Sequence, residues 1–141
     1  MRFMVIVPAN KESEAGVLPD EKILADMSAF NESMVKAGVM LAGEGLHASS
    51  KGARITFSGG KTTVVDGPFA DSTGLIAGFW LIQVKSKEEA IAWMKRAPFG
   101  GGLVLELRQV FEAEDFGAAM TPELRSQEER MRSQVERRLT S

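Results

Sequence analysis

The sequence of 141 residues contains no cysteine and one histidine, His47. Without thiols the chain has no disulfide, no thiolate metal ligand and no cysteine nucleophile. A closed zinc site normally requires several Cys or His ligands, so one imidazole with scattered carboxylates predicts no metal. A lone histidine in the Gly- and Ser-rich residues 45–52 is typical of a solvated side chain, with a base or a ligand as the alternative.

Long apolar stretches and an excess of positive charge are also missing. No segment approaches the roughly 20 apolar residues that a membrane helix requires, and the apolar start of the chain is too short for a signal peptide. We therefore expect a cytoplasmic protein with no membrane partner. The net charge of -2 and pI near 5.5 provide no broad positive field, so nucleic acid is not expected as a partner.

Two glycine-rich stretches invite a phosphate-binding interpretation that their context excludes. In residues 59–62, Gly-Gly-Lys-Thr, the leading glycine of a phosphate-binding loop would fall on Ile55, inside a predicted strand. Residues 100–102 are all glycine, but they lead into a predicted strand and not into a helix N-terminus. We therefore expect no cofactor.

The apolar pattern predicts the element order βαβ, hairpin, βαβ, followed by one further helix. Residues 3–7 are apolar on both parities, as in a buried strand, and Pro8 ends the run. The first helix is predicted over 20–37, with Asp20 as its N-cap, and the second after Ser86, which opens a capping box. The other strands are predicted over residues 39–42, 53–57, 62–65, 78–85 and 103–108.

Two split βαβ units predict a ferredoxin-like α+β fold, with an antiparallel sheet and both helices on one face. Trp80, Ile82 and Val84 share one strand parity, and we assign them with Val110 to the other, open face. A face this apolar predicts that a second copy of the chain covers it, which gives a homodimer with paired sheets.

The chain changes character after Phe111, which divides it into a domain over residues 1–111 and a C-terminal extension over 112–141. Thr121 followed by Pro122 is typical of a helix start. The predicted helix has a thin apolar stripe of Leu124, Met131, Val135 and Leu139 on an Arg- and Glu-rich surface. An isolated helix of this length is marginal in water, so we expect it to dock on the body or on the partner.

Several motifs in order resemble the YCII-related family, in the branch that carries a DGPF motif. They are Gly43-Glu44-Gly45-Leu46, Asp66-Gly67-Pro68-Phe69-Ala70-Asp71, Gly78-Phe79-Trp80-Leu81-Ile82 and Glu88-Glu89-Ala90-Ile91-Ala92-Trp93, within about Met1 to Phe111. The resemblance implies a dimeric ferredoxin-like α/β barrel and no established activity. A His–Asp pair proposed as catalytic in a related branch is not evident here. Thr73-Gly74 and Gln83 depart from this branch, which usually has Lys-Glu and Asp there.

Five residues are candidates for a ligand site, and no catalytic residue is assigned. Asp66-Gly67-Pro68-Phe69 has the composition of a turn, with a ligand-lining loop as the alternative. Glu44 near Arg108 or Glu106 on the open face indicates an interface ion pair or a small polar cavity. The candidate residues are Glu44, Asp66, Phe69, Trp80 and Arg108.

These patterns predict a dimeric small-molecule-binding or regulatory protein whose ligand is small and polar or anionic. One alternative is an enzyme in which Asp66 or Glu44 acts as base and Arg108 holds an anionic substrate. The other is a protein-interaction module that uses the C-terminal helix.

Overall fold

The structure is a computed structural model that describes residues 1–70 and 74–140. Asp71 and Thr73, which belong to the motif comparison above, lie outside the described residues. The described chain contains six strands and four α-helices. It also has one turn of 3₁₀ helix at Ser49–Lys51 and a longer 3₁₀ segment at Ala113–Ala119. In chain order they are β1 (Arg2–Pro8), α1 (Lys11–Glu14), α2 (Glu21–Lys36), β2 (Met40–Gly45), β3 (Ala53–Ser58), β4 (Lys61–Asp66), β5 (Ile76–Gln83), α3 (Lys87–Met94), β6 (Glu106–Gln109) and α4 (Pro122–Thr140).

Four strands form one sheet in the order β2-β5-β1-β6, and every neighbouring pair is antiparallel. Helix α2 connects β1 to β2, and α3 connects β5 to β6, so two βαβ units interleave in the ferredoxin-like manner. Among the residues that the structure describes, β3 and β4 pair only with each other, in a separate hairpin between β2 and β5 in the chain. The predicted α+β ferredoxin-like fold is confirmed.

Capping residues define the starts of both connecting helices. The Asp20 side chain accepts the Ile23 N–H at 2.8 Å, and the Ser86 hydroxyl accepts the Glu89 N–H at 3.1 Å. Helix α2 buries Phe30 and Met34 against the sheet, as its predicted apolar stripe requires. Helix α3 buries Ala90 and Met94, so both helices cover the same face of the sheet.

The covered face contains Trp80, which contradicts the predicted strand parity. Trp80 is 4% exposed and packs edge-on against Phe30, with ring centroids 5.6 Å apart. Its indole N–H donates to the Asn31 side-chain oxygen at 2.8 Å. Ile82 and Val84 are buried in the same core. The assignment of these three residues to the open face was therefore wrong, because α2 and α3 cover that parity and leave Phe79 and Leu81 on the other side.

The last strand of the sheet is shorter than predicted. β6 covers Glu106–Gln109, whereas the sequence predicts a strand over 103–108. Its pairing with β1 ends at Ile6 opposite Glu106, and two residues further along β1 is Pro8, which has no N–H to donate. Leu105 and Leu107 still pack against the core, as the alternation of the leucines predicts.

The chain forms two compact units, Met1–Gln109 and Val110–Ser141. In the second unit, the rings of Phe111 and Phe116 stack with centroids 4.9 Å apart. Helix α4 begins where predicted, with the Thr121 hydroxyl accepting the Leu124 N–H at 3.2 Å. Across residues 1–70 and 74–140, no helix combines the length and the apolar character needed to cross a membrane. The cytoplasmic location stays a prediction.

Candidate functional site

The face of the four-stranded sheet opposite α2 and α3 is called the open face. Along β1, Phe3 and Val5 are buried in the core, so the alternate residues Met4 and Ile6 lie on the open face. Ile6 is paired with Phe79 on one side and with Glu106 on the other. Met4 is paired in the same way with Leu81 and Arg108. On β2, Glu44 is paired with Phe79 and Ala42 with Leu81. Two rows therefore cross the sheet: Glu44-Phe79-Ile6-Glu106 and Ala42-Leu81-Met4-Arg108.

The open face has an apolar centre and charged edges. Met4, Ile6, Phe79 and Leu81 lie on the two central strands and are only half-buried in the protomer. Glu106 and Arg108 lie on one edge strand, where their side chains approach to 3.2 Å. These two side chains are 59% and 71% exposed, so their ion pair contributes only about 0–1 kcal/mol.

Glu44 lies on the opposite edge strand, β2. Three inter-strand spacings of about 4.8 Å put the backbones of β2 and β6 roughly 14 Å apart. Glu44 and Arg108 therefore share the open face, as predicted, but they are too far apart to form an ion pair within one protomer. A group lying across the sheet, or a second sheet facing it, can contact both.

Asp66 and Phe69 lie instead at the base of the hairpin, in a cluster that we call the DGPF corner. The cis peptide of the motif joins Gly67 to Pro68. The Gly67 N–H donates to the Gly52 carbonyl at 3.0 Å, and the Phe69 N–H donates to the Ser49 hydroxyl at 3.1 Å. These bonds tie the motif to the 3₁₀ turn before β3, which supports the turn interpretation.

Glu14 extends the DGPF corner to the short helix α1. Its carboxylate accepts the Ser49 hydroxyl at 2.6 Å and the Ser49 N–H at 3.1 Å. The Arg54 guanidinium lies over the Phe69 ring, 3.9 Å from its centroid, so Phe69 is held by a cation–π contact. Sequence reasoning did not identify Glu14 or Ser49, because the two are 35 positions apart and no local spacing rule relates them.

An apolar groove of about 340 Å³ lies between α3 and the loop that leads to β6. Phe99 and Leu103 line it from the loop, Met94 from the helix, and Lys95 adds a charge to its lining. Such a lining accommodates an apolar group but brings no set of polar atoms together for chemistry. Within residues 1–70 and 74–140, no three His, Asp or Glu side chains form a group that could hold a metal ion.

The five candidate residues are therefore distributed over three places. Glu44 and Arg108 lie on the open face, Asp66 and Phe69 at the DGPF corner, and Trp80 in the core under α2. No contact described above joins the three places, so they do not form one site in the protomer. The ligand-binding role of these residues stays a prediction.

The geometry defines a ferredoxin-like α+β protein with one helix-covered and one open sheet face. The sequence model of the YCII-related domain matches residues 1–114, and the chain belongs to the YCII-related family. The family prediction made from the motifs is thus confirmed.

Two similar proteins add context. An uncharacterised protein of Rhizobium meliloti (strain 1021) is 36% identical over 72 residues, which are 51% of this chain and 58% of that relative. The match thus spans less than two thirds of the relative's length. The solved structure of 5-chloro-2-hydroxyhydroquinone dehydrochlorinase from Burkholderia phenoliruptrix AC1100, in complex with 2,5-dihydroxybenzoquinone, is 15% identical with a TM-score of 0.39. It covers 79% of this chain and 96% of its own, and at that similarity it supports no inference about this chain.

Proposed function

We propose that the protein is a homodimer that binds a small anionic molecule in the cleft between two facing open faces. The observation that carries the proposal is the open face itself, with four large apolar side chains at its centre and charges at both edges. A sheet face of this kind is unusual in contact with water, and a second copy of the same face is its simplest cover.

The apolar centre supplies a driving force comparable to the cost of association. Full burial of one large apolar side chain contributes about 1.5–3 kcal/mol. Because Met4, Ile6, Phe79 and Leu81 are already more than half-buried, eight such side chains in a pair gain at most roughly 4–8 kcal/mol in all. Association costs about 4–15 kcal/mol, so the apolar centre alone makes a dimer marginal and further contacts are needed.

The charges at the edges supply specificity in this arrangement. Glu44 lies on one edge of the sheet and Arg108 on the other, so a two-fold pair can bring Glu44 of each copy near Arg108 of its partner. Because Glu106 holds Arg108 only weakly, a ligand carboxylate can replace it. The ligand chemistry that fits is an apolar ring or chain that enters beside the apolar centre, with one anionic group for Arg108 at the edge.

Native mass spectrometry of the freshly purified protein tests assembly and binding together. We expect a dimer, and we expect Leu81→Asp to convert it to a monomer, because the substitution puts a charge at the centre of the apolar cover. Ala92→Asp is the matched control, since Ala92 is exposed on α3 and lies on the covered side of the sheet. A wild-type protein that is monomeric at micromolar concentration would contradict the paired-sheet assembly.

Benzoate is the ligand probe in the same spectra, and benzyl alcohol is its neutral control. We expect a benzoate adduct on the dimer, none with benzyl alcohol, and at least a tenfold weaker adduct with Arg108→Gln. A dimer that takes up both probes equally, or neither, would contradict the anion site while leaving the assembly in place.

A further inference from the structure

The hairpin of β3 and β4 has an apolar surface that the rest of the unit Met1–Gln109 leaves exposed. Ile55 is paired with Val64, and Phe57 with Thr62, so these four side chains share one face of the ribbon. Ile55 is 57% exposed, Phe57 80% and Val64 61%. We call this surface the arm face. The opposite face of the ribbon contains Thr56, paired with Thr63.

An isolated ribbon of this kind has little stability of its own. Every residue of β3 and β4 is exposed, and a two-stranded hairpin is marginal in water unless a third strand or a packed layer covers one face. The DGPF corner fixes the base of the hairpin, through the Gly67 and Phe69 N–H groups, but it contributes nothing near Phe57. The arm face therefore requires a cover from outside the unit Met1–Gln109.

The hairpin leaves the sheet at the border of the open face. Gly45, the last residue of β2, pairs with Gly78 of β5, and the Leu46 N–H still donates to the Ala77 carbonyl before the chain leaves the sheet. The neighbouring pair, Glu44 with Phe79, is one of the rows of the open face. The chain thus leaves the four-stranded sheet at the edge of the surface proposed to meet a second copy, and residues 46–52 connect that edge to β3.

The area of the open face is too small for a stable interface without the arm. A strand residue covers about 16 Å² of sheet, from a spacing of about 4.8 Å and a rise of about 3.3 Å. Four strands of four to eight residues then present roughly 400 Å² per copy, or about 800 Å² per pair. Stable interfaces bury about 1,200–2,000 Å² in total. Each hairpin adds roughly 200 Å² of its own and covers a similar area of the other copy, which brings the pair to about 1,600 Å², within that range.

We propose that the hairpin of each copy lies against the other copy, with Ile55, Phe57 and Val64 buried in the subunit interface. The inference rests on the proposed face-to-face dimer and names the second copy as the occupant of the arm face. We expect Phe57 to contribute most to this interface, since it is the largest and most exposed apolar side chain of the ribbon.

Sedimentation equilibrium over a dilution series tests the inference with Phe57→Asp and Thr56→Asp. The two residues are adjacent but point to opposite faces of the hairpin. We expect the dimer dissociation constant to rise at least tenfold for Phe57→Asp and less than twofold for Thr56→Asp. Because Phe57 is already exposed in the protomer, neither change should alter the far-UV circular dichroism.

The outcomes separate this inference from the proposed dimer. A wild-type dimer that Phe57→Asp does not weaken would exclude the second copy as the cover of the arm face, while the paired sheets would stand. A wild-type monomer would overturn both. Hydrogen exchange provides a second measurement: the amides of β3 and β4 should exchange faster in Leu81→Asp than in the wild-type dimer. Equal exchange in the two proteins would also overturn the inference.

Discussion

Replacing Gly67 by alanine tests whether the DGPF motif is a structural turn. A Cβ atom added at Gly67 would overlap the Ser49 carbonyl oxygen and lie 2.6 Å from its carbonyl carbon. Both are backbone atoms, so no side chain can rotate away to relieve the overlap. Gly67 does not have a positive φ angle, so the expected cost is steric, and the two segments must separate.

The separation breaks the contacts that form the DGPF corner. Two hydrogen bonds are lost, from the Gly67 N–H to Gly52 and from the Phe69 N–H to Ser49, at about 1 kcal/mol each. The contact of Arg54 with the Phe69 ring contributes about 0.5–1 kcal/mol more. The free energy of opening the corner should therefore fall by about 2.5 kcal/mol, which corresponds to a roughly 70-fold loss of amide protection.

Hydrogen exchange measured by NMR reports this loss at the Phe69 amide. Gly52→Ala is the matched control, because a Cβ atom there would lie 3.5 Å from the Ser49 oxygen, an ordinary van der Waals distance. In Gly52→Ala we expect the protection of the Phe69 amide from exchange to stay within about threefold of the wild-type value. If Gly67→Ala exchanges no faster at Phe69 than Gly52→Ala does, the motif does not act as a packed turn and the reasoning fails.

Two further substitutions test the core and the DGPF corner. Trp80→Ala should lower the free energy of unfolding by about 3–5 kcal/mol, measured by urea unfolding with circular dichroism at one fixed protomer concentration. Trp93→Ala is the control at a half-buried site, and equal losses for the two would contradict the core assignment of Trp80. Ser49→Ala should cost about 1–2 kcal/mol, because the part-buried Phe69 N–H loses its acceptor. Ser50→Ala, at an exposed neighbour, should change stability by less than about 0.5 kcal/mol, and a Ser49→Ala protein as stable as this control would refute the expected loss.

Local signals predicted the fold well because each element has its own start and stop. Asp20 and Ser86 are N-caps, and the hairpin turn contains Gly59 and Gly60, both with positive φ. The order of elements, read with the rule for split βαβ units, then determined the sheet topology.

The site was harder to predict, since both parities of the strand around Trp80 are apolar. Phe79 and Leu81 alternate with Trp80 and Ile82, so periodicity alone could not decide which set faces the helices. The decision depends on where α2 packs, and in particular on Phe30 and Asn31 meeting the indole ring. Such contacts join residues some fifty positions apart, which no spacing rule in one sequence describes.

The pairing of Gly45 with Gly78 joins two strands that are far apart in the sequence, so forming the sheet has a cost in chain entropy. Residues 46–75 form one long connection between two strands that lie side by side, where a short turn would suffice. Closing a loop of this length instead of a four-residue turn costs roughly 2 kcal/mol, at about 0.6 kcal/mol for each doubling of loop length. The same geometry makes the connection separable from the core, since its two ends are already adjacent. A shortened chain that joins β2 to β5 directly would retain the sheet, gain in closure entropy and fold with a lower contact order.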